Sequence, residues 1–424
     1  MVSDPASRAG AILEIDLGGI VENWRLLAAA AMPAACAAVV KANAYGLGAV
    51  PVARALVAAG CRMLFVATLD EGIALRQAVG GLPKIAVFNG PLCGTAAEFA
   101  AHRLIPVLND PGQIEQWARL SQSLSALQGG EGGDPSRSDG EGEVGIGEHS
   151  GIPHLTPTLS APPWPTGGGE GVTTHPAILH VDTGMARLGL TDREFTALID
   201  SPPAIAWHAV ISHLACADSP GHQMNEAQRT RFAAAAARLP GVSASLAASC
   251  GVFLGRPYHF DLVRPGAALY GVNPCPGRPN PLRQVVRLSA KILQIRQIDS
   301  GQSVGYGAAH VMEAPGRIAT VAVGYADGWP RALGRRGCGH LAGVRVPLIG
   351  RVSMDLVTFD VSAVDPALAC PGMMIELLGD AYRVDDAASD AGTIGYEILC
   401  RLGARYHRVY RDLLGTPLPA NPPG

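Results

Sequence analysis

A single lysine, Lys41, stands where a predicted buried strand ends. The preceding residues, 34–40, are small and apolar and include the β-branched Val39 and Val40, a pattern typical of a parallel strand buried on both faces. Residues 43–48 are rich in turn-forming types and indicate a loop. Burial favours the neutral amine, a nucleophile that can form a Schiff base with a carbonyl compound. Taken alone, however, the lysine is better explained as a side chain that extends to the surface.

Other polar side chains follow other predicted strands in the same way. The carboxyl ends of the strands of a parallel barrel form one rim, and active sites lie there. Each group alone has an ordinary explanation, as a loop charge, a hydrogen-bonded strand end or a helix cap. Their shared position favours a common site at the rim. The groups are Arg187, His213, Ser249 and Arg264.

The elements that must position these groups alternate between strand and helix. Eight strand candidates lie near residues 39, 64, 86, 106, 179, 209, 245 and 261, and most are followed by a helix-like segment. This repetition predicts an α/β fold with a TIM-like (β/α)8 barrel over residues 11–283. An open, doubly wound sheet is the alternative, although no G-x-G-x-x-G motif follows the first strand.

Two further regions complete the predicted domain organisation. Residues 128–174 are rich in glycine, proline and serine, so they are predicted to be a disordered insert that cannot bury enough apolar surface to fold. The insert lies inside the barrel domain, because the alternation resumes after it. From residue 284 to residue 424 the sequence has short alternating runs between turns, which predicts a β-rich C-terminal domain.

Composition excludes several classes of function. The formal charge is -3 over 424 residues, which gives no electrostatic argument for a nucleic acid or an anionic membrane as partner. The nine cysteines are scattered, odd in number and without a C-x-x-C pair, so neither a disulfide framework nor a zinc site is expected, and a reducing cytoplasm is favoured. No apolar run approaches the roughly 20 residues of a membrane span. We therefore expect a soluble cytoplasmic protein without a bound metal.

Six stretches resemble the motifs of the pyridoxal-phosphate-dependent alanine racemases. They occur in the order that the family has and span nearly the whole chain, and only the insert at 128–174 lies outside the resemblance. They are Val39–Gly48 (VVKANAYGLG), Asp182–Gly189 (DTGMARLG), Arg264–Gly271 (RPGAALYG), Val304–Gly307 (VGYG), Val323–Arg331 (VGYADGWPR) and Gly350–Asp355 (GRVSMD).

The resemblance implies a racemase with two catalytic bases. Lys41 would bind pyridoxal 5'-phosphate and serve as one base. Tyr306 would be the other base, donated by the partner subunit of a homodimer with shared active sites. Racemisation requires a proton to be removed from one face of Cα and returned on the other, so two bases on opposite faces are the minimal arrangement, and the pyridoxal ring serves as the electron sink.

The resemblance also assigns the binding residues. The cofactor phosphate would be bound by the hydroxyls of Tyr45, Ser249 and Tyr396 and by the backbone N–H groups of Gly266 and Ala267. Arg264 would bond to the pyridine nitrogen without giving up its proton, and His213 would link it to the second base. Arg187 and the main-chain amide of the other subunit's Met354 would bind the substrate carboxylate, with Asp355 near the partner base.

Four positions depart from the family pattern. The family often has a carbamylated lysine two residues before the Asp-Thr-Gly sequence, and this chain has His180 there. The other departures are Leu47 in place of a histidine, Ala248 in place of an asparagine and Ser353 in place of a cysteine. None of them removes a base or the cofactor lysine, so they bear on substrate choice and turnover.

The resemblance therefore predicts interconversion of L- and D-alanine, for peptidoglycan synthesis or for catabolism of one isomer. A racemase of broader specificity and the same fold is the nearest alternative. A decarboxylase of related fold is disfavoured by the tyrosine of the Val-Gly-Tyr-Gly motif. A non-enzymatic pyridoxal-phosphate carrier is disfavoured by the second domain, because such carriers are usually a barrel alone.

Overall fold

The computed structural model describes residues 5–129, 175–412 and 416. Its strands are β1 (Ala11–Asp16), β2 (Ala35–Cys36), β3 (Ala38–Val39), β4 (Met63–Val66), β5 (Lys84–Val87), β6 (Ile105–Leu108), β7 (Ala177–His180), β8 (Trp207–Ile211), β9 (Ser243–Ser245), β10 (Leu262–Val263), β11 (Val286–Ile298), β12 (Ser303–Val304), β13 (His310–Val311), β14 (Gly316–Val321), β15 (Cys338–Leu341), β16 (Val344–Ile349), β17 (Val357–Asp360), β18 (Met374–Leu378) and β19 (His407–Arg411).

Most of the α-helices follow strands in the first half of the chain, and two lie near its C-terminal end. They are α1 (Pro5–Arg8), α2 (Leu17–Ala31), α3 (Lys41–Tyr45), α4 (Ala49–Ala58), α5 (Leu69–Val79), α6 (Ala96–Ala101), α7 (Pro111–Gly129), α8 (Asp192–Asp200), α9 (Gln223–Ala237), α10 (Ser249–Val252), α11 (Val384–Ala391) and α12 (Gly395–Arg401). No helix in the described part of the chain is long and apolar enough to cross a bilayer.

The parallel strands form a closed ring. Strands β3 to β9 pair in chain order in one sheet, and β10 pairs with β2. The last strand reaches both neighbours, because the Arg264 N–H donates to the Ala247 carbonyl (2.9 Å) and the Ala37 N–H donates to the Val263 carbonyl (2.9 Å). The eight predicted strands are all present, and the predicted (β/α)8 barrel is confirmed.

The second half of the chain forms an eight-stranded sheet in the order β14-β17-β16-β15-β18-β11-β1-β19. Strand β1 belongs to this sheet, where it pairs antiparallel with β11 and parallel with β19. Its alternating burial is typical of a strand with one face on a core. The range 11–283 predicted for the barrel domain therefore begins with a strand that lies in the sheet of the β domain.

The alternating runs of the sequence correspond to β11, β14, β16 and β18, whereas helix α11 and strands β12, β13, β15, β17 and β19 were not predicted. Helix α7 ends at Gly129, so the first two residues of the insert predicted at 128–174 are helical. The remainder of that insert lies outside the described residues.

Candidate active site

Lys41 opens a left-handed turn at the end of the first barrel strand. The four residues that follow it, Ala42 to Tyr45, have φ values of 52° to 54°, although none of them is glycine. This conformation costs roughly 1–2 kcal/mol per residue, so contacts outside the turn must hold it. The sequence predicts a loop here but not its handedness, since among these four residues only Asn43 is of a type that is enriched at positive φ.

Several neighbours hold the turn in place. Glu71 accepts a hydrogen bond from the Ala42 N–H through Oε1 at 2.6 Å, and the Tyr410 hydroxyl donates to the Leu47 carbonyl at 3.0 Å. Gly46 has a φ of 84°, and a Cβ there would lie 2.4 Å from the Leu399 carbonyl oxygen. Only glycine fits this position, because the close approach leaves no room for a Cβ, and glycine adopts the positive φ without strain.

The environment of Lys41 favours its neutral amine. Burial lowers the pKa of Lys41, and the charge of Arg187 lowers it further, whereas Glu71 and Cys400 raise it. Its Nζ lies 5.8 Å from the centre of the Phe88 ring. The neutral form of an amine attacks a carbonyl carbon and accepts a proton, so the lowered pKa of Lys41 supports a nucleophilic lysine over one that only extends to solvent.

Three hydroxyl groups, those of Tyr45, Ser249 and Tyr396, form a cup next to this turn. The ring of Tyr45 packs in a tilted arrangement against those of Tyr270 and Tyr396, with centroid distances of 5.0 Å and 6.1 Å. Ser249 begins helix α10, and its Oγ accepts hydrogen bonds from the N–H groups of Gly266 (2.9 Å) and Ala268 (3.2 Å). Its O–H therefore remains able to donate to a ligand.

The cup has the composition that an anionic ligand requires. A Cβ on Gly266 would lie 2.4 Å from the Tyr45 hydroxyl oxygen, so the glycine makes room for that hydroxyl. Within the described residues the Tyr45 hydroxyl donates no hydrogen bond, and the Tyr396 hydroxyl has only a 4.0 Å contact with the Cys250 sulfur. The structure thus brings together donors without protein acceptors, which fits a phosphate group.

The predicted backbone donors of the cup are only partly free. The N–H of Gly266 is already bonded to Ser249, whereas the Ala267 N–H makes no hydrogen bond with the described residues. Binding of a phosphate by Gly266 and Ala267 stays a prediction.

Arg264 is buried and is held by neutral oxygen atoms. One of its Nη atoms donates to the Ser245 carbonyl at 2.8 Å and the other to the Ser212 carbonyl at 2.6 Å. Burial lowers its pKa to about 10, so it still carries its charge at neutral pH. No bond to its Nε is present among the described residues, and this donor remains for a ligand.

Two histidines beside Arg264 are kept neutral. Burial, and then the positive charge of Arg264, lower the pKa of His213 to about 3 and that of His180 to about 4. Arg187 acts on both in the same direction. The site therefore combines the guanidinium groups of Arg264 and Arg187 with two uncharged imidazoles, and a ligand that carries negative charge is favoured.

The tautomer of His180 follows from its hydrogen bonds. Its Nδ1 lies 2.7 Å from the Oδ1 of Asn109, whose amide nitrogen donates to the carbonyls of Phe88 and Val107, each at 2.9 Å. Because the amide orientation of Asn109 is thereby fixed, Nδ1 of His180 must carry the proton. His180 is a neutral side chain where the family often has a carbamylated lysine, so Arg187 lacks an anionic partner at this position.

Arg187 is exposed in a loop that Asp182 organises. The Asp182 carboxylate accepts hydrogen bonds from the N–H groups of Gly184, Met185 and Ala186 at 2.8 to 2.9 Å. The loop closes at its base, where the Leu190 N–H donates to the His180 carbonyl at 2.9 Å. The structure thus brings Arg187 to the same rim as Lys41, His213 and Arg264.

Tyr306 and Met354 lie on the β domain and not on this rim. Their side chains are 72% and 54% exposed. Among the described residues no hydrogen bond, ring contact or electrostatic interaction joins Tyr306 to Lys41. Within one chain the rim therefore holds one of the two predicted bases.

Ion pairs of one arginine with two aspartates fix the segment that contains Met354. Arg405 pairs with the buried Asp327 at 3.0 Å and with the exposed Asp355 at 2.8 Å. The Met354 carbonyl accepts from the Ala326 N–H at 2.9 Å. The segment is therefore positioned by its own domain although its side chain is exposed.

Sequence reasoning missed several residues of the site. Tyr270 donates to the Val39 carbonyl at 3.0 Å, Asn109 fixes His180, and Glu71 holds the turn. A signal existed for Glu71, because Thr68 and Glu71 have the spacing of a capping box at the start of α5.

Comparison with known proteins identifies the family. The profile of the alanine racemase N-terminal domain matches residues 15–128 and 166–274, and that of the alanine racemase C-terminal domain matches residues 285–410. An alanine racemase of Rhodospirillum rubrum is 48% identical over 407 residues, which are 95% of this chain and 96% of that protein. A catabolic alanine racemase of Mesorhizobium japonicum is 45% identical and covers 95% of this chain, with 93% of its own length matched.

A solved structure gives the same result. Alanine racemase from Bartonella henselae, solved with covalently bound pyridoxal phosphate, superposes with a TM-score of 0.80 at 37% identity, over 95% of this chain and 99% of that one. A barrel with a lysine at its rim, an attached β domain and matches over nearly the whole length lead to one conclusion. The chain belongs to the alanine racemase family.

Proposed function

We propose that this protein interconverts L-alanine and D-alanine with pyridoxal 5'-phosphate as cofactor. The observation that carries the proposal is the position of Lys41, whose pKa is lowered by burial, beside hydroxyl groups that have no acceptor among the described residues. Lys41 would bind the cofactor covalently, and Tyr45, Ser249 and Tyr396 would hold its phosphate. Arg264 would hold the ring nitrogen through its free Nε donor.

The cofactor supplies an electron sink that makes the Cα proton of a bound amino acid acidic. Arg264 remains charged at neutral pH, since its pKa is about 10, and it therefore donates a hydrogen bond rather than a proton. Arg187 would bind the substrate carboxylate. The neutral His180 adds no negative charge that would compete with a carboxylate for Arg187.

The proton transfers require two bases on opposite faces of Cα. The amine of Lys41 serves one face. We infer that the partner subunit's Tyr306 serves the other face, in a homodimer that builds each active site from both chains. The exposed Tyr306 and Met354, together with the exposed Tyr325 (44%) on the same domain, support a second chain that covers this surface.

The cellular role is proposed on the same basis. The nine cysteines are free in the structure, which favours a reducing compartment, and we place the enzyme in the cytoplasm. D-alanine made there would enter peptidoglycan. A racemase of broader amino-acid specificity is the second candidate. The departures from the family pattern at His180 and Leu47 are the observations that favour it.

A panel of amino acids assayed for racemisation tests the proposal. We expect turnover of both alanine enantiomers, and Lys41→Ala should abolish it because the variant lacks both the attachment point and one base. Faster turnover of larger side chains would favour the broader-specificity racemase. Retention of alanine racemisation by Lys41→Ala would contradict the assignment of the cofactor lysine.

A further inference from the structure

Glu71 joins the ends of two neighbouring barrel strands beside Lys41. Strands β3 and β4 are paired, with Val39 opposite Phe65. The Ala42 N–H, just after the first strand, donates to Glu71 Oε1 at 2.6 Å, and the Ala67 N–H, just after the second, donates to Oε2 at 2.8 Å. One side chain therefore ties the left-handed turn of Lys41 to the next strand of the rim.

Only a carboxylate can make this set of contacts. The Thr68 N–H also approaches Oε2, at 3.4 Å, so three donors converge on two oxygen atoms. A glutamine has one acceptor oxygen and one NH2 group, and its NH2 group would face an N–H donor. The contacts at Glu71 thus require an anion and not merely a polar side chain.

Glu71 also contributes charge at the amine of Lys41. The described groups that act on the pKa of Lys41 are Arg187, which lowers it, and Glu71 and Cys400, which raise it. Lys41 acts in turn on His213, and its Nζ faces the Phe88 ring. Glu71 is the one carboxylate among these described groups, so it opposes the charge of Arg187.

We propose that Glu71 is a positioning residue for Lys41, which fixes the left-handed turn that presents the amine and supplies the negative charge that balances Arg187 beside it. The catalytic meaning of this role rests on the proposed function, in which Lys41 is the cofactor lysine and a base.

Three variants of the full-length chain separate the two parts of this role. Glu71→Gln removes the charge and one of the acceptor oxygens. Glu71→Asp keeps the charge but is one methylene too short to reach both strand ends. The matched control is Glu194→Gln, because Glu194 forms the capping box of α8 with Thr191 (2.9 Å to the Thr191 N–H) and does not act on Lys41.

The effects of these substitutions are followed by two readouts that do not depend on racemase activity. The first is the pH dependence with which an amine-reactive reagent labels Lys41 before pyridoxal phosphate is added, followed by mass spectrometry. The second is hydrogen exchange at the Ala42 amide, with and without the cofactor. Thermal melting of each variant verifies that it is folded.

We expect the labelling midpoint to move to lower pH in Glu71→Gln, because the carboxylate that raises the pKa of Lys41 is lost, and to stay near that of the unmodified chain in Glu71→Asp and Glu194→Gln. Exchange at Ala42 should accelerate about tenfold in both Glu71 variants and not in Glu194→Gln. Equal midpoints in Glu71→Gln and Glu194→Gln would overturn the charge role, and unchanged exchange at Ala42 would overturn the structural role. If the unmodified chain did not racemise alanine, both readouts could still be measured. The proposed function and the role of Glu71 are therefore tested separately.

Discussion

Replacing Tyr45 by phenylalanine should weaken cofactor binding without weakening the fold. The Tyr45 side chain is only 8% exposed, and its hydroxyl donates no hydrogen bond within the described residues. Loss of the hydroxyl therefore leaves no protein acceptor unpaired. The neighbouring Tyr270 provides the contrast, because its buried hydroxyl donates to the Val39 carbonyl at 3.0 Å.

The magnitudes follow from these contacts. A hydrogen bond to a charged phosphate contributes about 1.5–3 kcal/mol, so Tyr45→Phe should raise the Kd for pyridoxal phosphate about 10- to 150-fold. The free energy of unfolding without cofactor should change by less than about 0.5 kcal/mol. Tyr270→Phe should do the opposite, because it leaves the buried Val39 carbonyl unpaired at a cost of about 1–3 kcal/mol.

The assay is a fluorescence titration with pyridoxal phosphate, repeated with pyridoxal, together with urea denaturation of the cofactor-free chain. Because the effect of Tyr45 acts through the phosphate, the affinity for pyridoxal should be the same in Tyr45→Phe and in the unmodified chain. If Tyr45→Phe kept the Kd for pyridoxal phosphate within twofold, or weakened pyridoxal equally, the assignment of a phosphate donor to Tyr45 would be wrong.

Two further predictions concern the neutral histidines. His180→Leu should lower the free energy of unfolding by about 1–3 kcal/mol, because Asn109 Oδ1 loses its buried donor. The side chain of His180→Asn can still donate to Asn109, so this variant should lower the free energy of unfolding by less than about 1 kcal/mol. Equal losses for the two variants in urea denaturation would contradict the Asn109 contact. The depressed pKa values of His180 (about 4) and His213 (about 3) mean that the folded chain binds fewer protons than the unfolded chain, whose histidines titrate near 6.5. Stability from these groups is therefore present above pH 6.5 and is lost as the pH falls towards 4 and 3. The melting temperature of a His180→Asn, His213→Gln double variant should fall less steeply over this range than that of the unmodified chain, and parallel curves would argue against neutral histidines.

The sequence predicted the barrel because each of its strands is a short apolar run followed by a helical pattern. The same pattern placed Lys41, His213, Ser249 and Arg264 at strand ends, and the structure brings these four to one rim. This pattern could not predict that β1 pairs with strands of the β domain. A strand's hydrophobic period shows that it is half buried, but it does not show which sheet it joins.

The left-handed turn could not be predicted either. Ala42, Asn43, Ala44 and Tyr45 carry no glycine signal, and their conformation is imposed by contacts with distant residues such as Glu71 and Tyr410. Propensity acts along the chain, whereas these contacts join residues 29 or more positions apart. The hydrogen bond that fixes His180 was missed for the same reason, since Asn109 lies 71 residues away.

Complementation between two inactive variants tests the central claim most directly. The claim is that each active site takes Lys41 from one chain and Tyr306 from the other. Lys41→Ala and Tyr306→Phe should each lack two-base racemisation of alanine. A mixed dimer would contain one site with both lesions and one site with neither.

Unfolding the two variants together in equal amounts and refolding them should therefore restore about a quarter of the sites, because half of the dimers are mixed. We predict recovery of about 25% of the activity of the unmodified enzyme refolded in the same way. A mixture that stayed as inactive as each variant alone, while mass spectrometry showed mixed dimers, would contradict an active site shared between two chains.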